Sequence, residues 1–159
     1  MEKYQIRISI AQQSLTLMNE GEVVRTYSVS TAKNGAGEQM GSECTPRGAH
    51  LIHAKIGAGC EHGTVFVGRI PTGQIYKNGP VAEPRDLILC RILWLCGTEP
   101  GRNRLGKVDS MSRYIYIHGC PDSSPMGIPL SHGCIRMRNA EIAEMFELVQ
   151  VGTEVDIEE

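Results

Sequence analysis

The stretch from Tyr114 to Met137 reads YIYIHGCPDSSPMGIPLSHGCIRM, with a histidine before its central loop and a cysteine after it. The apolar residues before His118 are typical of a short strand, whereas the Pro, Ser and Gly residues that follow predict a loop. Cys134 comes sixteen residues after His118, in a turn that contains glycine. Nucleophilic thiol catalysis needs a sulfur, a base within hydrogen-bond reach and backbone N–H groups directed at an oxyanion. This stretch contains candidates for all three.

The same stretch closely resembles the catalytic signature of the L,D-transpeptidase catalytic domain family. The His-Gly pair, the Pro/Gly loop and the Ser-His-Gly-Cys-Ile-Arg-Met run occur in the same order and at fitting spacing. Three more segments are similar to that family: Val29–Thr31, Thr45–Gly48 and Arg113–Gly119. The resemblance extends from about Tyr4 to about Val149. It implies a mainly β, sandwich or barrel-like fold with one C-terminal helix after the catalytic loop.

The resemblance also implies a role for each residue of the central stretch. Cys134 is the expected nucleophile and His118 the expected base, whose ring is oriented by a backbone carbonyl near Gly119. His132 is expected at the site but not as the base, and the N–H groups of Gly133 and Cys134 are the expected oxyanion donors. The residues alone leave Cys134 open to being a small buried hydrophobe and His118 to being a structural histidine.

Three residues are predicted to contact substrate: Arg136, Tyr116 and Ser131. The Arg136 guanidinium fits a carboxylate through two parallel hydrogen bonds, and bracing of the turn is the open alternative. Tyr116 would otherwise pack within its strand, as strand tyrosines commonly do.

A zinc site is the alternative from another class of function. His and Cys alternate at His118/Cys120, His132/Cys134 and Cys60/His62, and four such ligands would form a closed His2Cys2 site. One-residue spacers are unusual for zinc, and the stretch fits thiol catalysis without a metal, so we predict no metal and no cofactor. A disulfide between Cys120 and Cys134 is also open, although reduced thiols are the favoured interpretation of the six cysteines.

Composition excludes several classes of function. The formal charge is −2, and the eight aromatic residues (one Trp, five Tyr and two Phe) are not interleaved with a basic stripe, so nucleic acid is not an expected partner. No apolar run is long enough to cross a membrane. The first residues alternate polar with apolar and lack the pattern of a signal peptide, which predicts a cytoplasmic protein. The length suits one domain, 1–159.

The resemblance implies peptidoglycan stem peptides as substrates and a Cys thioester as the intermediate. We expect a cytoplasmic L,D-carboxypeptidase that trims tetrapeptides (muropeptides) to tripeptides during cell-wall recycling, with attack at the diaminopimelate carbonyl before D-Ala. The alternative is an L,D-transpeptidase that forms crosslinks or exchanges D-amino acids. Carbapenem-type β-lactams are expected to acylate Cys134.

Periodicity predicts most of the elements. Alternation typical of strands occurs in five segments: Tyr4–Ile10, Leu15–Leu17, Val23–Val29, Gly48–Ile56 and Thr64–Ile70. Leu87–Leu95 is apolar on both faces, which favours a central strand covered on both sides over a buried helix. Gly97–Ser112 is predicted to be a lid or binding loop.

One helix is predicted after the cysteine. Asn139 is its expected N-cap, and Gly152 is expected to end it. Its buried stripe is expected to contain four residues: Ile142, Met145, Phe146 and Val149. Thr153–Ile157 is predicted to be a closing strand or a frayed tail.

Overall fold

The computed structural model describes residues 3–77 and 87–159. The predicted single domain also includes residues 1–2 and 78–86, which lie outside the described residues. The fold is mainly β, as predicted. The strands are β1 (Tyr4–Ser9), β2 (Ser14–Asn19), β3 (Glu22–Ser28), β4 (Gly48–Ile56), β5 (Thr64–Val67), β6 (Ile70–Ile75), β7 (Ile88–Gly97), β8 (Tyr116–Gly119), β9 (Ile135–Met137) and β10 (Glu154–Glu158). The helices are a short 3₁₀ turn, Gly106–Val108, and α1 (Asn139–Leu148).

The strands form one sheet in the order β3-β2-β1-β10-β4-β7-β5-β6, and β8 and β9 extend it from β7. Strands β1 to β3 pair antiparallel and form a meander at the start of the chain. Strand β10 pairs parallel to β1 and antiparallel to β4. The segment after the helix is therefore a closing strand inside the sheet, not a frayed tail.

Strand β7 is the centre of the part of the sheet that carries the site. It pairs antiparallel with β4, β5 and β8. Seven of its ten residues are buried, since apolar side chains are covered on both faces. The central strand is confirmed and the buried-helix alternative is wrong.

The predicted strand Thr64–Ile70 is wrong in its second half. Strand β5 ends at Val67, and Gly68 and Arg69 form a turn that returns the chain as β6. Gly68 has a φ of +62°, a conformation that glycine adopts without a Cβ penalty. All six residues of β6 are exposed. Because neither face of the strand is buried, its sequence lacks the alternation of apolar and polar residues by which a strand is predicted.

The helix boundaries also differ from the prediction. Arg138 is the N-cap, and Asn139 is the first helical residue and makes no capping bond with its side chain. The Asn139 side chain instead packs directly under Gly119. The helix ends at Leu148, and Gly152 lies in a separate turn that leads into β10. The buried stripe is confirmed: Ile142, Met145, Phe146 and Val149.

Two apolar clusters lie on opposite faces of the sheet around β7. The larger cluster contains α1 and includes Leu93, Ile117 and Ile135. The second contains Phe66, Ile92 and Tyr116, with partly buried residues packed against it. Because side chains alternate along a strand, β5, β7 and β8 each contribute to both clusters.

The long segment between β7 and β8 is anchored to the sheet. The Asn103 side chain is buried, donates to the carbonyls of Arg47 and Ala49, and accepts from the N–H of Glu99. Ser110 is also buried, and its hydroxyl lies 2.8 Å from Nε2 of His50. The first part of the predicted lid is thus fixed against the sheet, and its last residues reach the site described below.

We expect His50 to make folding stability depend on pH. Its ring is 1% exposed, Nδ1 lies 2.9 Å from the Gly48 carbonyl, and burial lowers its pKa. In the unfolded chain, His50 takes up a proton near pH 6.5, whereas in the folded chain it does so only at lower pH. The free energy of unfolding is therefore highest above pH 6.5 and decreases as the pH falls below that value. Urea unfolding at pH 7.5 and 5.5 should show a loss of up to about 1 kcal/mol per pH unit that is reduced in His50→Gln. An equal pH dependence in the two proteins would contradict this assignment.

Candidate active site

Strands β8 and β9 bring the predicted base and nucleophile to the same face of the sheet. They pair in parallel, with Ile117 opposite Ile135 and His118 opposite Arg136. Ile117 and Ile135 face the larger cluster. By alternation, the side chains of His118 and Cys134 face the other way. Cys134 packs there against the second cluster.

The Cys134 sulfur is held between two backbone groups of the neighbouring segment. The N–H of Tyr116 donates to Sγ at 3.4 Å. The thiol donates to the carbonyl of Tyr114, also at 3.4 Å. The Tyr116 N–H donor favours the thiolate, because a hydrogen bond to the charged form stabilises it, whereas the bond to the Tyr114 carbonyl exists only in the thiol form. Cys134 is half-buried, so the sulfur remains accessible from one side.

The His118 ring is fully buried, and one of its nitrogens is fixed. Nδ1 lies 2.6 Å from the carbonyl oxygen of Gly119, at the position that the sequence predicted for an orienting group. Because Nδ1 must carry a proton to donate to this carbonyl, Nε2 is the proton-accepting nitrogen of the neutral ring. A Cβ at Gly119 would overlap Asn139 and approach the Leu89 carbonyl to 2.7 Å, so only glycine fits here.

The turn that carries Cys134 is braced by two hydroxyl groups. Ser131 Oγ accepts from the N–H of Gly133 at 3.2 Å and donates to the Cys134 carbonyl at 2.6 Å. Thr45 Oγ1 donates to the Gly133 carbonyl at 2.9 Å. Gly133 has a φ of +134°, and a Cβ there would lie 3.3 Å from the Cys44 carbonyl. Glycine is therefore favoured by its conformation, and a Cβ would also crowd the Cys44 carbonyl.

These hydrogen bonds give Ser131 and Gly133 roles that differ from the predicted ones. Ser131 is 1% exposed, and its hydroxyl is bonded within the turn. Its role in this structure is to position Cys134, whereas the prediction was a contact with substrate. The Gly133 N–H is committed to Ser131, and it must leave that bond before it can serve an oxyanion. The oxyanion role of the Gly133 and Cys134 N–H groups stays a prediction.

A cavity of about 280 Å³ opens beside the sulfur. It is formed by the turn, the end of the β7–β8 segment and the loop before β4. Its lining residues are Met40, Gly41, Glu43, Ser112, Arg113, Tyr114, Ile115, His132 and Cys134. His132 is exposed on this lining, two residues before Cys134 in the chain. The arrangement offers a nucleophile one open side and room for a small peptide segment.

The other two predicted substrate contacts lie outside this lining, among the residues that the structure describes. Tyr116 is 3% exposed and packs in the second cluster, so its ring is a core residue. Its hydroxyl accepts from Arg69 at 2.9 Å. Arg136 is half-buried in β9, and its backbone exchanges two hydrogen bonds with Ser30.

Sequence reasoning gave no role to three residues that the structure places around the thiol. Thr45 and Arg113 belong to segments that resemble the family, but the sequence predicts no role for either side chain. Arg69, from the β5–β6 turn, lies over the rings of Trp94 and Tyr114, with its guanidinium carbon 4.6 and 4.9 Å from their centroids. No local sequence pattern reveals the contacts of these three residues, because the residues they contact are far away in sequence. Thr45 contacts Gly133 and Arg113 contacts Cys44, while the partners of Arg69 are 25 and 45 residues away.

All six cysteines lie in the described ranges, and none forms a disulfide. Cys120 is 2% exposed and its thiol donates to the Met137 carbonyl at 3.4 Å, so the alternative Cys120–Cys134 disulfide is absent. Among residues 3–77 and 87–159, no cluster of three or more His, Cys, Asp or Glu side chains has the geometry to hold a metal ion. No helix in the same ranges combines the length and apolar content needed to cross a bilayer.

A family model for the L,D-transpeptidase catalytic domain matches residues 3–157 of this chain. Among curated relatives, YkuD of Bacillus licheniformis is 27% identical over 155 residues, which are 97% of this chain and 65% of that protein. The Tyr114–Met137 stretch lies within the range that the family model matches.

Solved structures show the same fold. The L,D-transpeptidase LdtMt1 in complex with imipenem matches with a TM-score of 0.59 at 23% identity, over 99% of this chain and 59% of that one. L,D-transpeptidase 3 from Mycobacterium tuberculosis, in complex with a faropenem-derived adduct, matches with a TM-score of 0.62 at 18% identity, over 99% and 61%. At such identities the likeness concerns the fold alone. The chain spans about three fifths of these solved chains and 65% of the Bacillus relative.

Proposed function

This chain belongs to the L,D-transpeptidase catalytic domain family, and from that premise we propose that it is a cysteine acyl-transfer enzyme acting on peptidoglycan stem peptides. The proposed reaction is that of an L,D-carboxypeptidase, which removes the terminal D-Ala from a tetrapeptide. The observation that carries the proposal is the half-buried Cys134 sulfur, which accepts the N–H of Tyr116 and lines a cavity on the face of the sheet that His118 shares.

Acylation begins with proton transfer from the Cys134 thiol to Nε2 of His118. The thiolate attacks the carbonyl carbon that precedes D-Ala and forms a tetrahedral oxyanion, for which the Cys134 N–H is a proposed donor. When the oxyanion collapses, the C–N bond breaks and the imidazolium gives its proton to the departing amine. The product of this half-reaction is a thioester on Cys134 and free D-Ala.

Deacylation regenerates the thiol. A water molecule loses a proton to His118 as its oxygen attacks the thioester carbonyl, and the C–S bond breaks on collapse of the second oxyanion. The proton on His118 then returns to the sulfur. Throughout, the carbonyl of Gly119 holds Nδ1–H, so the same nitrogen accepts and returns each proton.

Water is the proposed acceptor because the cavity is small. A volume of about 280 Å³ lies just below the range of about 300–1,000 Å³ that is typical of pockets for one drug-sized ligand. That space suits one peptide segment beside the thiol, and hydrolysis needs no second peptide. Soluble muropeptides in cell-wall recycling are the proposed substrates and the cytoplasm the proposed location. The family itself is equally consistent with a transpeptidase, in which an amine replaces water.

β-Lactams are proposed as covalent inhibitors of Cys134. The fold is shared with two L,D-transpeptidases whose structures contain imipenem or a faropenem-derived adduct. A strained lactam carbonyl presented to the same thiolate would form an acyl-enzyme that water releases slowly.

The acceptor is tested by incubating the protein with a soluble disaccharide tetrapeptide and weighing the products by mass spectrometry. Loss of one D-Ala to give the tripeptide is expected, because water enters the thioester. Dimers, or exchange when a D-amino acid is added, would identify the transpeptidase instead. Absence of both products, with a folded protein and a reduced Cys134, would contradict action on this substrate class.

A further inference from the structure

Arg113 clamps the loop that forms one wall of the cavity. Its Nη2 donates to the Cys44 carbonyl at 2.7 Å and to Ser42 Oγ at 3.4 Å. Its Nη1 donates to the carbonyls of Gly37 and Glu38 at 3.3 and 3.2 Å. All four acceptors are neutral oxygen atoms on one loop, so these bonds fix the guanidinium in place without neutralising its charge.

Among the described residues, no carboxylate pairs directly with this guanidinium, although Glu38 lies near enough to stabilise its charge electrostatically. Arg113 forms no ion pair with any residue in the described ranges. The Glu38 carboxylate, on the same loop, is instead bound by Arg47 through two bonds of 3.0 Å. Half-burial lowers the pKa of the Arg113 guanidinium, whose ordinary value is so high that the group stays charged at neutral pH.

The same guanidinium shares the cavity wall with the nucleophile. Arg113 and Cys134 both line the 280 Å³ cavity, and the Cys134 thiol lies near enough to interact with the guanidinium electrostatically. Among the described residues that line the cavity, Glu43 is the one acid, and it is exposed. The remaining titratable groups of the lining are His132 and Tyr114. The cavity lining therefore includes a fixed, half-buried cation, whereas the only acid among its described lining residues is exposed.

We propose that the charge of Arg113, whose Nη groups are already bound to the loop, attracts a carboxylate of the acyl donor toward Cys134. A guanidinium suits this role because it is always charged and less strongly hydrated than an ammonium. The sequence favoured Arg136, which does not belong to the described lining of this cavity. The assignment deepens the proposed function and rests on it for the nature of the ligand, a peptide with free carboxylates.

Two small alkylating reagents separate charge recognition from bracing of the loop. Iodoacetate and iodoacetamide each form a C–S bond with the Cys134 thiolate and release iodide, but only iodoacetate carries a negative charge. The ratio of their rates at one pH does not depend on the thiolate fraction, because both react with the same thiolate. Alkylation of Cys134 is followed by mass spectrometry of its peptide, which distinguishes it from the other five cysteines.

In Arg113→Gln, the iodoacetate-to-iodoacetamide ratio at Cys134 is expected to fall about fivefold, as loss of one nearby charge at intermediate dielectric predicts. Arg113→Lys keeps the charge and should keep most of the ratio. Arg25→Gln is the matched control, since it removes a charge from an exposed ion pair with Glu144 and should leave the ratio unchanged. In the wild-type protein, 0.5 M salt should lower the ratio by screening, compared with about 0.02 M.

A purely structural Arg113 gives a different result. Loosening of the loop would change both rates by the same factor and leave the ratio at the wild-type value in Arg113→Gln. That outcome, or a wild-type ratio that does not respond to salt, would overturn the proposal. The salt measurement needs no variant, so misfolding of a variant does not remove the test. Alkylation also needs no peptide turnover, so failure here is distinguishable from failure of the proposed function.

Discussion

A Cys134→Ser variant is expected to release D-Ala from a tetrapeptide more slowly than the wild-type protein by a factor on the order of 10³ or more. The serine hydroxyl stays protonated at neutral pH, whereas the thiol at this position accepts the Tyr116 N–H and faces the same side of the sheet as His118. Steady-state release of D-Ala measures the effect. The mass of the protein after treatment with imipenem should show an adduct for the wild type and none for the variant.

Cys60→Ser is the matched control for this substitution. Cys60 is also half-buried and packs against the same second cluster, but it does not line the cavity. It should keep both D-Ala release and the imipenem adduct. Equal losses in the two variants would indicate a general effect of removing a thiol, and full activity of Cys134→Ser would refute the mechanism.

A His118→Gln variant is expected to lower turnover by about 10²–10⁴-fold, the usual contribution of a general base. The glutamine side chain can still donate to the Gly119 carbonyl, so it replaces the structural bond and removes proton transfer. Release of D-Ala under saturating substrate measures this step. Thermal unfolding of the variant shows separately whether the buried site tolerates the change.

His132→Gln tests the choice between the two histidines. His132 is exposed on the cavity lining, and we expect its loss to affect substrate binding more than turnover. If His132→Gln stopped turnover and His118→Gln left it nearly intact, the two assignments would have to be exchanged. The comparison is informative because one side chain is fully buried and the other is exposed.

The predictable part of the site is local in sequence. Tyr116, Ile117 and His118 alternate along a strand, and that alternation alone places His118 on the face opposite Ile117. The pairing of β8 with β9 then aligns His118 with Arg136. The family resemblance implied that the two segments share a site, but it did not give this strand register. Strand β7 was predictable for a similar reason, since a strand that is apolar on both faces needs cover on both sides and therefore belongs in the centre of the sheet.

The unpredicted part depends on contacts between distant segments. Thr45 braces Gly133 across 88 residues, and Arg113 reaches Cys44 across 69. Such contacts are set by how the strands are ordered in the sheet, which no local period encodes. Asn139 failed as a cap for a comparable reason: its side chain fills the space under Gly119, where the helix packs against β8.

The position of β10 has a consequence for the kinetics of folding. Gln5 pairs with Glu154, so the sheet becomes continuous only when the chain has closed a loop that contains nearly all of its residues. Closing so long a loop costs entropy before any contact repays it, and β domains of this kind fold in about milliseconds to seconds. During that interval the thiols of Cys90 and Cys120, which end up buried, are open to oxidants in the solvent. Recovery of native protein after denaturation will therefore depend on the reductant in the refolding buffer.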